Sequence, residues 1–379
     1  MTGLANTASP ARLVVAAAGF VLMFLSCADL LVGQQRPTKL DTLHVQAVSR
    51  IDPSLPASTR SIELLTADEI ASLPVRTISD MLEWATGVDV LSRSPAQSDL
   101  SIRGASFEQV VVLVNGVRVS DPQTGHFDLD LVVPLESVER VEIIRGAASS
   151  LYGADAMGGV VNVVTRDADA STAVGVQGGS WNTVRLSARG GVGRGGVGAD
   201  GGGGSMALNV SGEVARSDGH RAGTDYETML IHSFLSHDLA VGRLALEMGA
   251  SRRDFGAQDF YAPYPSFEKT RSYTASLGWS SGDHGRFEWE ARLSARRHDD
   301  DFVLVRDNPS LYQNQHTSTQ GGGTLLARYS AGSHIGVALG GELFRDGLTS
   351  TYLGDRSEGR GALFLEALCG SPSSAVLSM

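Results

Sequence analysis

Apolar and polar residues alternate along much of the chain after residue 171. The clearest case is the segment 286–296, in which every second residue is apolar: Phe287, Trp289, Ala291, Leu293 and Ala295. The same period of two recurs in 184–189, 206–213 and 273–280. Such alternation predicts strands with one apolar and one polar face. The region 171–368 is therefore predicted to be an antiparallel sheet.

The region 61–166 has a mixed pattern. A short strand is predicted over 61–66, and Thr66 with Glu69 has the spacing of a capping box at a helix start. Apolar residues at helical spacing predict a second helix over 77–86. Apolar runs predict further strands at 88–91, 101–103, 110–114, 138–145 and 160–165. Asn115-Gly116 predicts a tight hairpin after 110–114, so this region is expected to form one small α+β domain.

The N-terminus has the layout of an export signal. Arg12 precedes an apolar run over 13–25, and small residues follow at 26–28. We therefore predict a signal peptide over 1–33, followed by a flexible leader over 34–60. The apolar run is shorter than the roughly 20 residues that a spanning helix needs, and no other long run exists, which excludes a helical membrane protein.

Composition narrows the function classes. The formal net charge of −11 gives no electrostatic support to nucleic-acid binding. The two cysteines, Cys27 and Cys369, cannot build a disulfide framework or a cysteine metal site. The alternating region fits either a soluble β-sandwich or a membrane barrel. The export signal favours the barrel, in the outer membrane of a Gram-negative bacterium.

The segment 100–166 carries a family resemblance. It contains two Ile-Arg-Gly steps, at 102–104 and 144–146, and a glycine-rich turn that runs into an apolar strand. In this it closely resembles the plug domain of TonB-dependent outer-membrane receptors. The resemblance implies an α+β plug, here over 61–166, followed by an antiparallel transmembrane β-barrel of about 22 strands. The residues after 166 suffice for roughly ten spanning strands of about 9–11 residues, so the barrel is expected to be incomplete. The irregular tail 369–379 contains Pro372 and lacks strand alternation, which favours a truncated or frame-shifted form.

The resemblance also implies two kinds of partner contact. Asp41, Thr42, Leu43, His44 and Val45 resemble the TonB box, which pairs by strand addition with the TonB-type periplasmic energiser. The arginines of the two Ile-Arg-Gly steps, Arg103 and Arg145, are implied to lock the plug to glutamates of the barrel wall through charge-assisted bonds.

Substrate contact is implied for the outward loops. The plug positions that match are 92–99 and 120–127, in which the candidates are Arg93, Gln97, Asp121, Gln123 and His126. The tract 255–279 resembles a segment of cobalamin and related receptors and adds Tyr261 and Tyr264. The expected substrate is a small molecule or metal chelate, either cobalamin or a ferric siderophore, and no cofactor is expected.

Other chemistry has weaker signals. Asp218 and Asp225 are weak calcium candidates, as is the run 298–301, for which a solvated loop is the favoured interpretation. No catalytic motif stands in a recognisable setting, so no enzyme is expected. Two alternatives stay open: a structural or adhesive outer-membrane protein with a passive plug, and a periplasmic α/β binding protein with a β-rich tail.

Overall fold

The computed structural model describes residues 61–167, 171–194, 205–282, 286–331, 335–369 and 377–378. The predicted signal peptide, the leader with its TonB-box-like segment and almost all of the tail lie outside the described residues. No helix in the described ranges is long and apolar enough to cross a membrane.

The first domain, residues 61–167, is here called the plug. Its strands are β1 (Ser61–Thr66), β2 (Val88–Ser94), β3 (Gln97–Ile102), β4 (Val110–Val114), β5 (Val117–Arg118), β6 (Val138–Arg145) and β7 (Gly159–Thr165). Its α-helices are α1 (Ala67–Ser72), α2 (Ile78–Leu82) and α3 (Ser149–Tyr152). Five strands form one sheet in the order β1-β6-β7-β4-β5, and β2 and β3 form a separate hairpin. Only β4 and β7 pair in parallel.

Local sequence explains several of these elements. The Thr66 side chain caps α1, and Glu69 returns the bond to the Thr66 N–H, so the predicted capping box is confirmed. Asn115 and Gly116 both have positive φ, as a two-residue hairpin turn requires. Helix α2 is shorter than the predicted 77–86. It ends early because the Trp84 and Ala85 N–H groups donate to the carbonyls of Met81 and Leu82, three residues back rather than four.

The plug core lies between the sheet, helix α2 and the β2–β3 hairpin. Met81, Leu82, Ile102, Val112 and Ile143 belong to one buried cluster and are completely covered. Burial of each such side chain stabilises the fold by about 1.5–3 kcal/mol. This core makes the plug a rigid platform for the loops that join its strands.

The second region is here called the wall. Its strands are β8 (Thr172–Gly179), β9 (Thr183–Arg194), β10 (Met206–Ser217), β11 (Tyr226–Leu239), β12 (Gly242–Gly256), β13 (Phe267–Ser280), β14 (Phe287–Val303), β15 (Gln313–Ala331), β16 (Ile335–Ser350), β17 (Arg356–Cys369) and β18 (Leu377–Ser378). Each strand pairs with its neighbours in the chain, and β8 and β18 are the two ends of the sheet. The ten long strands confirm the predicted antiparallel sheet, which is unclosed over the described residues.

The wall exposes its apolar positions and covers its polar ones. On β13 the side chains of Tyr273 and Leu277 are 47% and 46% exposed, whereas Thr270 and Ser272 are buried against the interior. A soluble sandwich would hide the apolar face instead. An apolar outer face with a polar interior is the pattern of a sheet that faces lipid, so the wall belongs in the outer membrane.

The run 298–301 is not a solvated loop, and that interpretation was wrong. All four residues lie within β14, which continues beyond the predicted segment to Val303. His298 and Asp300 point to the interior and are buried. The run was misread because Arg297 and Asp299 on the outward face are also charged and pair with each other at 2.8 Å, so the apolar–polar alternation ends although the strand continues.

Candidate substrate site at the plug tip

Ion pairs between arginines of the wall and carboxylates of the plug hold the plug inside the wall. Three buried wall arginines reach plug carboxylates: Arg185 to Glu136 at 2.8 Å, Arg253 to Asp130 at 3.7 Å and Arg296 to Asp121 at 2.7 Å. The plug contains seven arginines and sixteen carboxylates, a formal charge of −9. Cations on the wall therefore complement the anionic plug. These wall arginines were not among the predicted residues, although they occupy the polar phase of the strand alternation.

The two Ile-Arg-Gly arginines lie side by side at the plug surface. The Arg145 guanidinium forms its ion pair within the plug, with Glu63 at 2.9 Å. Arg103 is exposed and has no ion-pair partner among the described residues. Gly146 has a φ of 102°, a backbone conformation that other residues rarely adopt, which explains the glycine that follows Arg145. The predicted lock to wall glutamates stays a prediction.

Three predicted substrate residues meet around Asp99, near the tip of the β2–β3 hairpin. Arg93 forms an ion pair with the Asp99 carboxylate at 3.1 Å. The His126 Nδ1 lies 2.7 Å from the other Asp99 oxygen. The Gln97 amide donates to Asp99 at 3.0 Å and to the His126 carbonyl at 3.3 Å. Residues 92–99 and 120–127 thus converge on a carboxylate that was not itself singled out, and their contact with substrate stays a prediction.

The wall loop 257–266, between β12 and β13, covers this cluster. Phe260 packs against Ala96 at the hairpin tip. Arg93 donates a hydrogen bond to the Phe260 carbonyl and lies 5.5 Å from the centre of the Tyr261 ring. The Tyr261 ring also lies 5.6 Å from the ring of His126. Tyr261, a fourth candidate, therefore lies beside this cluster.

The charge state of the site follows from these contacts. Burial raises the pKa of the Asp99 carboxyl, but hydrogen bonds and charges from His126 and then Arg93 outweigh it and leave the pKa below its ordinary value. Asp99 is thus an anion at neutral pH, with cationic, amide and aromatic groups around it. Such a site can bind a ligand that has both a polar edge and a flat apolar face.

The two other plug candidates lie apart from the tip cluster. Asp121 is buried against the wall, where it also accepts a hydrogen bond from Ser318 at 2.7 Å. The Gln123 N–H donates to the Asp121 carboxylate at 2.8 Å. These contacts place Asp121 in the plug–wall interface. Tyr264 lies in the covering loop and is 43% exposed.

The calcium candidates have protein partners. Arg306 neutralises Asp225 through two bonds, at 2.7 and 3.0 Å. Asp218 accepts a hydrogen bond from the Asn182 amide at 2.6 Å. Within the described part of the chain, no group of three or more His, Cys, Asp or Glu side chains could hold a metal ion.

Comparison with known proteins agrees with this arrangement. Residues 54–160 match the family model of the TonB-dependent Receptor Plug Domain. The vitamin B12 transporter BtuB of Vibrio cholerae is 33% identical over 152 residues, which cover 39% of this chain and 25% of that protein. BtuB of Photobacterium profundum is 32% identical over 171 residues, 44% of this chain and 27% of that protein. The iron-regulated outer membrane virulence protein of Vibrio cholerae is 33% identical over 138 residues, 35% of this chain and 21% of that protein.

Solved structures share the fold at lower identity. The copper transporter OprC superimposes with a TM-score of 0.67 and 14% identity, over 84% of this chain and 54% of that one. The siderophore receptor PiuA from Acinetobacter baumannii gives a TM-score of 0.61 and 15% identity, over 86% of this chain and 60% of that one. The chain thus spans somewhat more than half of these receptors, and about a quarter of the curated relatives is matched.

A compact plug, held by arginines inside a sheet with an apolar outer face, defines a plug-and-barrel protein of the outer membrane. Within that class, residues 54–160 match the plug domain of TonB-dependent receptors, and the wall shares the fold of the siderophore receptor PiuA.

Proposed function

We propose that the protein receives a scarce substrate at the plug tip and takes part in its energised import across the outer membrane. The substrate class we favour is cobalamin, and ferric siderophores are the runner-up. The proposed energy source is a TonB-type periplasmic partner that engages residues 41–45.

The observation that carries this proposal is the convergence at Asp99. Plug residues from two segments and an aromatic residue of the wall loop 257–266 meet there. Similarity to two vitamin B12 transporters, at 33% identity over 152 residues and 32% over 171 residues, supports cobalamin as the substrate. Cobalamin offers amide edges for polar contacts and a broad ring for Tyr261.

Binding of radiolabelled cyanocobalamin to the purified full chain in detergent micelles tests the proposal. We expect saturable binding that Tyr261→Ala weakens at least tenfold. Tyr264→Ala, in the same loop but outside the cluster, is the matched control and should bind normally. Saturable binding of a ferric siderophore but not of cyanocobalamin would reassign the substrate. Absence of binding to either would favour a structural protein with a passive plug.

The energised step has its own test. Deletion of residues 41–45 should abolish uptake of labelled cyanocobalamin by Gram-negative cells that depend on this protein, while surface binding persists. Uptake that survives the deletion would rule out the proposed role of this segment.

A further inference from the structure

The substrate-site hairpin is fixed to the plug at its base. Gly87 and Arg103 flank the β2–β3 hairpin, and the Arg103 N–H donates to the Gly87 carbonyl at 2.9 Å. Gly87, Arg103 and Gly104 have φ values of 70°, 53° and 78°, so the chain turns sharply on both sides of this bond. The hairpin is thus joined to the plug through a narrow base, and the substrate candidates lie near its opposite end, the tip.

One side-chain cluster holds that base to another strand. The Thr86 N–H donates to the Glu63 carboxylate at 3.0 Å. The Arg145 guanidinium donates to the same carboxylate at 2.9 Å and to the Thr86 carbonyl at 2.9 Å. Glu63, Thr86 and Arg145 are here called the clasp. The clasp joins three segments: β1, the end of β6 and the residue that precedes the hairpin.

Among the described residues, strand β1 is the element of the clasp that has the fewest other attachments. It is an edge strand of the plug sheet, and six residue pairs hold it to β6. Ser61 pairs with Arg145, so the end of β1 nearest the N-terminus lies beside the clasp. Departure of β1 would remove Glu63 and leave both the Thr86 N–H and the Arg145 guanidinium without this carboxylate. The bond between Arg145 and Glu63 is part-buried, and a polar group left there without its partner is costly, so the hairpin base would rearrange.

We propose that the clasp couples the position of β1 to the substrate-site hairpin. Displacement of β1 loosens Arg93, Gln97 and Asp99 at the tip, and occupancy of the tip stabilises β1 on β6, because coupling between two sites is reciprocal. Glu63 and Arg145 act as positioning residues, which do not touch the substrate. The coupling to substrate rests on the proposed function, whereas the mechanical link between β1 and the hairpin does not.

The link is tested on the ligand-free full chain in detergent micelles by hydrogen–deuterium exchange. Glu63→Gln removes the carboxylate charge, and we expect amide exchange in 88–99 to rise about tenfold. The control is Asp89→Asn, which removes an exposed carboxylate from the hairpin itself and should leave exchange unchanged. Glu63→Asp keeps the charge but shortens the reach, so an intermediate effect is expected if Glu63→Gln does not fold. Faster exchange confined to β1, or none, would overturn the proposal.

A second measurement adds cyanocobalamin. In the unaltered chain and in Asp89→Asn, binding should slow exchange in 61–66, and in Glu63→Gln this protection should be lost. Binding without protection of 61–66 in the unaltered chain would overturn the coupling. If cyanocobalamin does not bind the unaltered chain, the proposed substrate fails, and the ligand-free comparison alone decides on the clasp.

Discussion

Replacement of Arg296 by Gln should loosen the plug segment around Asp121. The Arg296 and Asp121 side chains are 5% and 0% exposed, and 2.7 Å separates the guanidinium from the carboxylate. In the variant, Asp121 retains the Ser318 hydroxyl as a donor but loses its cation. A buried carboxylate without a counter-charge is strongly unfavourable, so the plug segment should open more often.

The size of the effect follows from burial. Removing one partner of a buried ion pair costs about 3–5 kcal/mol. Since about 1.4 kcal/mol corresponds to a factor of ten, local opening should become roughly a hundred- to several-thousand-fold more frequent. The neighbouring residue offers the matched control: Arg297 faces outward, is 58% exposed and pairs with Asp299. An exposed pair contributes about 0–1 kcal/mol, so Arg297→Gln should change little.

Hydrogen–deuterium exchange of peptides from 120–131, in the full chain in micelles, measures this opening. The difference between the unaltered chain and Arg296→Gln should also shrink in acid. Burial raises the pKa of Asp121, but the charges of Arg296 and His298 outweigh it and leave the pKa lowered. The ion pair therefore stabilises the plug fully when the pH lies above the pKa of Asp121 in the unfolded chain. This stabilisation is lost as the pH falls through the pKa of Asp121 in the folded plug. Equal exchange in Arg296→Gln and Arg297→Gln would refute the argument that burial decides how strongly an ion pair stabilises the plug.

Three further outcomes are expected. Burial, and to a smaller extent the charge of Asp121, raises the pKa of Asp128 well above its ordinary value. Ionisation of Asp128 thus destabilises the plug as the pH rises, and the thermal stability of Asp128→Asn relative to the unaltered chain should be greater at pH 8 than at pH 5. A constant difference would contradict this. Gly159→Ala should destabilise the plug by about 1–3 kcal/mol in denaturant unfolding, because its Cβ would lie 2.3 Å from a backbone oxygen, whereas Gly359→Ala, with open space around it, should be nearly neutral. The carboxyl of Asp99 should titrate below its ordinary value of 3.8 in NMR, and a higher value would show that the contacts with His126 and Arg93 do not form.

Elements set by local chemistry were predictable from the sequence. The bounds of β1, β4 and β6 agree with the predicted 61–66, 110–114 and 138–145. The turn at Asn115-Gly116 was equally clear, because few other residue pairs accept two positive φ values. In the wall, strict alternation over 286–296 located β14, although the charged residues that continue it were misread.

Contacts between distant segments were not predictable in the same way. The partner of Arg145, Glu63, lies 82 residues away, and nothing in the local pattern connects the two. Asp99 was overlooked because its importance arises only when Arg93 and His126 approach from different loops. The inward-facing arginines of the wall occupy the same alternate strand positions as many serines and threonines. Only the position of the anionic plug distinguishes them.

The plug and the wall differ in the sequence separation between their paired strands, and this difference affects the order in which they assemble. Wall strands pair with chain neighbours, whereas β4 pairs with β7 and β1 with β6 across intervening elements. Closing longer loops costs more entropy, and sheets rich in distant pairings fold more slowly. During refolding, wall hairpins should therefore form before the plug sheet is complete. An early wall would present Arg185, Arg253 and Arg296 to water without their plug carboxylates, so the last step of folding should be sensitive to salt.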